Sequence, residues 1–537
     1  MKKRVIATIL AACMVVTGLT ACGSSSSGNA DAGSDGSAAE AGADGVTTDK
    51  ITLSYWAYED PDLMSQLAEA FMTKYPNITV EVKQMTDMST DLTAAASNNE
   101  FPDVFIATDS DTSLANQWWE DITEYVNNDP ETKELMPTIQ EYGIGMFDTN
   151  HRYAMPTYYQ PCAVFVDKKV LDKLNLEMPD PDWTWEDMID LITKATVDDR
   201  SGMKYFGLGY YNRLDSLYGI SAATSSERTI KGEFGFDGTD FDLQYWAVGE
   251  QQFSDMKLAG YVAPQQNTQA MEDWTGDYGM YFGSTGHVAV FSEGWWTFQN
   301  IWNTDVVQED GSTIYYQDLY DLDIYPYVTP SVSGEKEHNV LGNMYLGGIS
   351  YATGHPYEAY LLLKWMNWGV EGWKKRIEIY SDKTNVNSAG VPLIASNMPM
   401  PLTTNTEVWD AYKKMFPTDD AHKPYWDKFF ENMTRPVPYG WYNIAGYWNF
   451  CDQYFNSQTS GAYTGIHDIV DAGAAKAADY VEEANLQANY YHALYMISYF
   501  GPDGYNVLDD AEIAWYQQVV DAGGVMTGIG ERPAGTK

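Results

Sequence analysis

The side chains of this 537-residue sequence best supplied for chemistry are 18 tryptophans, 40 tyrosines and 76 aspartates and glutamates. A Trp or Tyr presents a flat apolar face and a hydrogen-bonding edge, and an ionised carboxylate accepts strong hydrogen bonds from hydroxyl groups. That combination suits reversible capture of an uncharged, hydroxyl-rich, amphipathic ligand such as a sugar. Bond-making chemistry has less support. Asp237-Gly238 and Asp503-Gly504 have the outline of calcium loops, but where acidic ligands are needed the first has Gly235 and ends at Gln244, and the second has Tyr499 and Gly501. The seven histidines show no paired ligand spacing, and G-x-S-x-G, H-E-x-x-H and Walker patterns do not occur. No metal, cofactor or catalytic residue is expected, and the chain is not expected to be an enzyme.

The elements that would position a ligand follow from the apolar pattern. Ile51-Thr52-Leu53-Ser54-Tyr55-Trp56 alternates as a strand. Asp60-Pro61 then opens a helix whose apolar face is Leu63, Met64, Leu67, Ala70 and Phe71, and Tyr75-Pro76 stops it. Ile78, Val80 and Val82 alternate as a second strand, and Val104-Phe105-Ile106 forms a third. This βαβ order predicts a largely parallel sheet with ligand loops at the C-terminal ends of its strands. A second block begins at Tyr153-Ala154-Met155-Pro156, continues through an apolar strand at 163–166, and reaches Trp183-Thr184-Trp185. There Thr184 caps a helix, Asp187 completes a capping-box variant, and Met188, Leu191, Ile192 and Ala195 form one stripe. Residues 323–328 read as an extended crossing, and Pro356 opens a helix burying Ala359, Leu362, Leu363 and Met366. A net charge of −44 opposes phosphate backbones and anionic headgroups, which excludes nucleic acid as a partner, while 44% hydrophobic content is enough to fold.

Lys2, Lys3 and Arg4 precede an apolar run from Val5 to Leu19, the layout of a secretory signal and too short to span a membrane. It ends Leu19-Thr20-Ala21-Cys22-Gly23, which resembles the lipobox of bacterial lipoproteins, with cleavage after residue 21 and lipid on Cys22. Residues 22–48, rich in Gly, Ser and Ala, read as a disordered tether. This places the protein on the outer face of a Gram-positive cell membrane, held by its lipid alone. Cys162 and Cys451 are far apart in sequence and are expected as buried thiols, with a disulfide as the alternative.

Several marks in order carry a family likeness: Tyr55-Trp56 with Phe71 to Pro76, Pro102-Asp103-Val104, Tyr153-Ala154-Met155-Pro156, Asp167 to Asp187 with Pro179, Gly286-His287-Val288-Ala289-Val290 leading to Gly294-Trp295, and Gly347-Gly348-Ile349-Ser350 before His355-Pro356. Over roughly residues 50–375 the chain resembles the extracellular solute-binding proteins of ATP-driven carbohydrate importers, the group that includes maltose-binding protein. The resemblance implies an α/β fold of the two-lobed periplasmic-binding-protein kind (type II), each lobe a mostly parallel sheet flanked by helices. Lobe 1 would comprise 50–157 and 330–395, and lobe 2 would comprise 158–329 and 396–537. A monomer would hold an oligosaccharide between the lobes, close on it, and deliver it to the membrane permease. Carried over by matching positions, the ligand-binding residues are Trp56, Tyr58 and Glu59; Asp109 and Asp111; Tyr158, Tyr159 and Gln160; Glu293, Trp295 and Trp296; and Asn343 and Tyr345. Trp295 is the leading stacking candidate. Trp441 and Tyr442, an aromatic cluster on a loop-like stretch, are added as a floor for the second lobe. Two other readings share these features: a peptide-binding transport lipoprotein, and a secreted glycosidase, which would need two carboxyl groups about 5–10 Å apart.

Overall fold

The protein is described by a computed structural model over residues 45–438, apart from 108–111, 114–115, 142–150, 199–201, 211–213, 226–229, 231, 237–240, 299–301, 303–304, 308–309, 333–337, 383, 396–397 and 417–418, together with 481–482 and 485. The chain divides into two units, residues 1–48 and 49–537, and the fold is that of the second. Cys22, Asp109, Asp111, Trp441, Tyr442 and Cys451 lie outside the described residues.

Strand β1 (Ile51–Ala57), helix α1 (Pro61–Lys74) and strand β2 (Ile78–Gln84) form the expected βαβ unit, with β1 and β2 parallel. The Asp60 carboxylate accepts the backbone N–H groups of Asp62 at 2.9 Å and Leu63 at 3.4 Å, satisfying donors that a helix start leaves unpaired. Leu63, Met64, Leu67, Ala68 and Phe71 are the buried stripe of α1, so Ala68 takes the inward place expected for Ala70. Helix α2 (Met88–Asn98) ends at Asn99 in the left-handed region and leads to β3 (Val104–Ala107), which lies parallel to β1 on its other side.

Strand β4 (Met155–Asp167) joins Met155 and Pro156, the end of the Tyr153-to-Pro156 mark, and the apolar run at 163–166 in one 13-residue strand. Helix α3 (Trp185–Ala195) has the capping box read from Thr184 and Asp187. Its entry is pinned by Trp183, whose indole N–H donates to the Val328 carbonyl at 3.0 Å. Strands β5 (Phe206–Leu208) and β6 (Val288–Gly294) are parallel, β7 (Asp305–Val307) and β8 (Thr313–Tyr315) make a separate two-stranded sheet, and β9 (Ile324–Tyr327) and β10 (Val340–Ile349) carry the chain back. Helices α4 (Pro356–Asn367), α5 (Val370–Ser381) and α6 (Lys423–Asn432) and strand β11 (Pro436–Pro438) follow.

The main sheet runs β2-β1-β3-β10-β4-β6-β5, with β11 joined to β10 and β9 to β4. Pairing within each half is parallel, while β10 runs antiparallel to β3 of the first half, β4 runs antiparallel to β6 of the second, and β4 and β10 run antiparallel to each other. The N-terminal part of β4 pairs with β10 as far as Pro161, and from Cys162 onward it pairs with β6 and β9. Pro161, which has no N–H to give, therefore sits where the strand changes partner. One core lies around Leu53, Tyr55, Phe71, Val104, Leu362 and Leu363; a second gathers Val164, Val166, Trp183, Met188, Ile192, Trp246, Val290 and Tyr327.

The sequence reading gives residues 396–537 to the second lobe, and the described part of that segment also reaches the first. The Met136 N–H donates to the Leu402 carbonyl at 3.0 Å, and Trp373 of α5 meets Tyr412 edge-on at 6.2 Å. The Tyr159 hydroxyl donates to the Met433 carbonyl at 3.0 Å. The His338 N–H donates to the Asn432 side chain at 3.2 Å, a further contact with the 330–395 segment, whereas the contacts of Met433 with Tyr159 and of His422 with Asp323 at 3.1 Å are with the 158–329 segment.

Candidate ligand-binding site

The strand directions define where a ligand can sit. Ala107, the C-terminal end of β3, lies opposite Leu346 of β10, and Gly294, the C-terminal end of β6, lies opposite Cys162 of β4, next to the Pro161–Gly342 pair. The C-terminal edges of both parallel halves thus converge on the stretch of β4 and β10 between those pairs. From Gly342 to Leu346 is four residues, about 13 Å at about 3.3 Å per residue. In open α/β sheets this is where ligands bind.

Within that stretch the side chains left partly exposed are Tyr158, Asn343 and Tyr345, while Thr157, Tyr159 and Gln160 are buried. Asn343 and Tyr345 are two apart on β10 and share a face. Pairing shifts between Asn343–Gln160 and Tyr345–Thr157, so β4 carries one extra residue there, and Tyr158 takes a left-handed backbone with φ +54°. Such a bulge turns a side chain away from strict alternation. Its result is a parallel stack of Tyr158 on Tyr345, with centroids 5.1 Å apart and planes 4° from parallel. Tyr58, 38% exposed just beyond β1, meets Tyr345 edge-on at 6.2 Å. Burial pushes the Tyr345 hydroxyl up to about 12, with Tyr58 adding to it. Burial raises Tyr158 well above the ordinary phenol value, and the Glu59 charge raises it further. Both phenols stay protonated at neutral pH and can donate as well as accept, as an uncharged polyol requires.

Glu59 has a different task from the one expected of it. It is buried at 7% exposure, and both of its carboxylate oxygens face Arg376 of α5, Oε2 at 3.2 Å from Nη2 and Oε1 against Nη1. A carboxylate held buried by a two-pronged guanidinium is fixed by that pairing, and Arg376 occupies both of its oxygens. Arg376 is the group that sequence reasoning missed, since a lone arginine on a helix gives no signal until the fold brings it to Glu59.

Trp295 is corrected from stacking face to core. It has 0% exposure and lies nearly parallel to Phe298 at 5.2 Å and Phe429 at 5.5 Å, with Phe416, Trp426 and Phe430 around it. The helical turn that follows Gly294 sends Trp295 inward, and aromatic residues of 416–430 cover it. Its neighbour Trp296 remains partly exposed and lies across Gly294, where an added Cβ would meet the indole at 2.1 Å. Glu293, also partly exposed, accepts the Gly294 N–H at 3.2 Å. Trp56 is partly exposed, but the Lys83 ammonium sits 3.7 Å from its ring centroid. Tyr58, Tyr158, Asn343 and Tyr345 are thus brought together, with Gln160 buried alongside and Glu293 and Trp296 at the β6 edge. Among the described residues no cluster of three or more His, Cys, Asp or Glu could hold a metal ion, and no helix is long and apolar enough to cross a membrane.

The sequence pattern of the family described as bacterial extracellular solute-binding protein matches residues 58–367. The chain belongs to that family. Solved structures support the fold of this solute-binding protein from end to end of theirs. An ABC substrate-binding protein from Listeria monocytogenes in complex with cycloalternan is 17% identical, covers 82% of this chain and 99% of its own, and superposes with a TM-score of 0.56. A cyclic alpha-maltosyl-1,6-maltose binding protein from Arthrobacter globiformis is 13% identical, covers 81% and 97%, and has a TM-score of 0.55. The sugar-binding protein MalE from Xanthomonas citri is 13% identical, covers 81% and 96%, and has a TM-score of 0.54. No curated protein sequence matches the chain. The solute-binding protein accordingly has the two-lobed α/β fold that the family resemblance implied.

Proposed function

We propose that this solute-binding protein is the sugar-capturing component of an ATP-driven importer, and that the tyrosine floor formed by Tyr58, Tyr158 and Tyr345 holds an oligosaccharide. The observation that carries this reading is the grouping of three tyrosines and Asn343 where the C-terminal edges of both halves converge. Flat rings accept the C–H faces of pyranose units, and protonated phenols with an amide answer the hydroxyls. Sugar-binding proteins among the structures of the same fold support the same class of ligand. The lobes are taken as 50–157 with 330–395 and 158–329 with 396–537, closing over the ligand about β4 and β10 and presenting it to the permease. The protein acts by binding, without a catalytic step, as a monomer held by lipid on Cys22 at the outer face of the cell membrane.

Calorimetry and thermal shift of the protein against linear α-glucan and β-mannan oligosaccharides, with a set of short peptides in parallel, test this. A ligand at a hundredfold excess over Kd stabilises the protein by about 2.7 kcal/mol, well above scatter. A peptide that binds while every glycan leaves the transition unmoved would replace this reading with the peptide one.

A further inference from the structure

Next to Tyr58 in the chain stands Glu59, one half of a buried charged pair with Arg376. Arg376 is 2% exposed and Glu59 is 7% exposed. The guanidinium reaches both carboxylate oxygens, donates from Nη2 to the Met366 carbonyl at 2.7 Å, and has the Tyr380 hydroxyl 3.5 Å from Nη1. Taking two charges out of water is costly, and apolar residues of equal volume would fill the space without that cost. What the pair adds is direction, because a planar fork on a carboxylate fixes both groups in one geometry. Glu59 directly follows Tyr58, so fixing the carboxylate fixes the backbone from which Tyr58 leaves β1. Tyr158 stacks on the Tyr345 ring that Tyr58 meets edge-on, and beyond its burial the charges of Glu59 and Arg376 act on its hydroxyl. Its left-handed backbone is one that a tyrosine keeps only where the surroundings hold it.

We propose that Arg376, acting through Glu59, is a positioning residue for the floor, and that ligand affinity depends on its two-pronged grip as well as on its charge. This rests on the reading of the tyrosines as a glycan floor. Arg376→Lys retains a cation but cannot span both carboxylate oxygens and the Met366 carbonyl together. Three measurements are made on it, alone and in a Tyr158→Phe background: near-ultraviolet circular dichroism of the ligand-free protein, in which the part of the signal lost with the Tyr158 phenol is the tyrosine signal of the stack, the thermal midpoint, and calorimetric Kd for maltotriose and mannotriose. The expected result is an altered tyrosine signal and binding about tenfold weaker, in a protein that still unfolds cooperatively. A lower midpoint with wild-type dichroism and wild-type Kd overturns the proposal, since the pair would then serve stability alone. Should Arg376→Lys not fold, Glu59→Gln, which keeps the shape and removes one charge, is read by the same criteria. If neither trisaccharide binds the wild type, an altered tyrosine signal still supports the positioning role while the glycan reading fails, and an unaltered one overturns it.

Discussion

Replacing Tyr345 and Trp295 by alanine, one at a time, separates the ligand floor from the core. Tyr345 is partly exposed and joins two ring contacts, the parallel stack with Tyr158 at 5.1 Å and the edge contact with Tyr58 at 6.2 Å. Each such pair is worth about 0.5–1.5 kcal/mol, so Tyr345→Ala is expected to cost about 1–3 kcal/mol of folding stability. A sugar ring hiding ~60 Å² of the open face at ~25 cal/mol per Å² loses ~1.5 kcal/mol of binding, about tenfold in Kd. Trp295 has 0% exposure and packs among five rings, and truncating such an aromatic typically costs ~3–5 kcal/mol of stability. Its Kd should stay near wild type at a temperature where the variant is folded. Urea unfolding and calorimetry with the best oligosaccharide of the panel give both numbers for each variant. The reasoning is refuted if Tyr345→Ala binds as wild type does, or if Trp295→Ala keeps its stability and loses affinity.

Burial pushes the Asp167 carboxyl up to about 7, against the lowering effect of the Asp323 and Lys169 N–H groups it accepts. A carboxyl raised in the folded state contributes stability that is complete below its unfolded value near pH 4 and is lost as pH rises through about 7. Both N–H bonds, at 3.0 and 3.1 Å, end on Oδ1, so Asp167→Asn can keep them and should gain on wild type between pH 4 and 8, by at most ~4 kcal/mol. Urea midpoints of the two proteins that stay parallel across that range would dismiss this. Cys22→Ala should move the protein from the membrane fraction to the medium, and a variant that sediments with membranes as the wild type does would remove the lipid anchor.

What the sequence determined by itself was local. The caps at Asp60 and Thr184, the stripe of α1, the alternation of β1 and β2 and the start of α4 at Pro356 all follow from residues within one or two turns of each other, and, with Ala68 in place of Ala70, the structure has them where the pattern put them. Tyr58, Tyr158 and Tyr345 were legible as positions because the family resemblance carried them over from its marks at Tyr55-Trp56, Pro156 and Gly347-Gly348. Their stacking was not, because it depends on an extra residue in β4 against β10, a register between segments nearly 190 residues apart. The fusion of two segments into the single strand β4 was likewise hidden, since its two prolines read as breaks until a change of partner at Pro161 accommodates the missing donor. Glu59 and Trp295 show the limit most directly. A carboxylate and an indole beside a ligand edge have the same sequence signature whether they face the ligand or turn away. Only the tertiary structure, by setting Arg376 against one and the rings of residues 416–430 around the other, decided that both are buried supports. Burial is a property of what packs from far along the chain, and no local pattern encodes it.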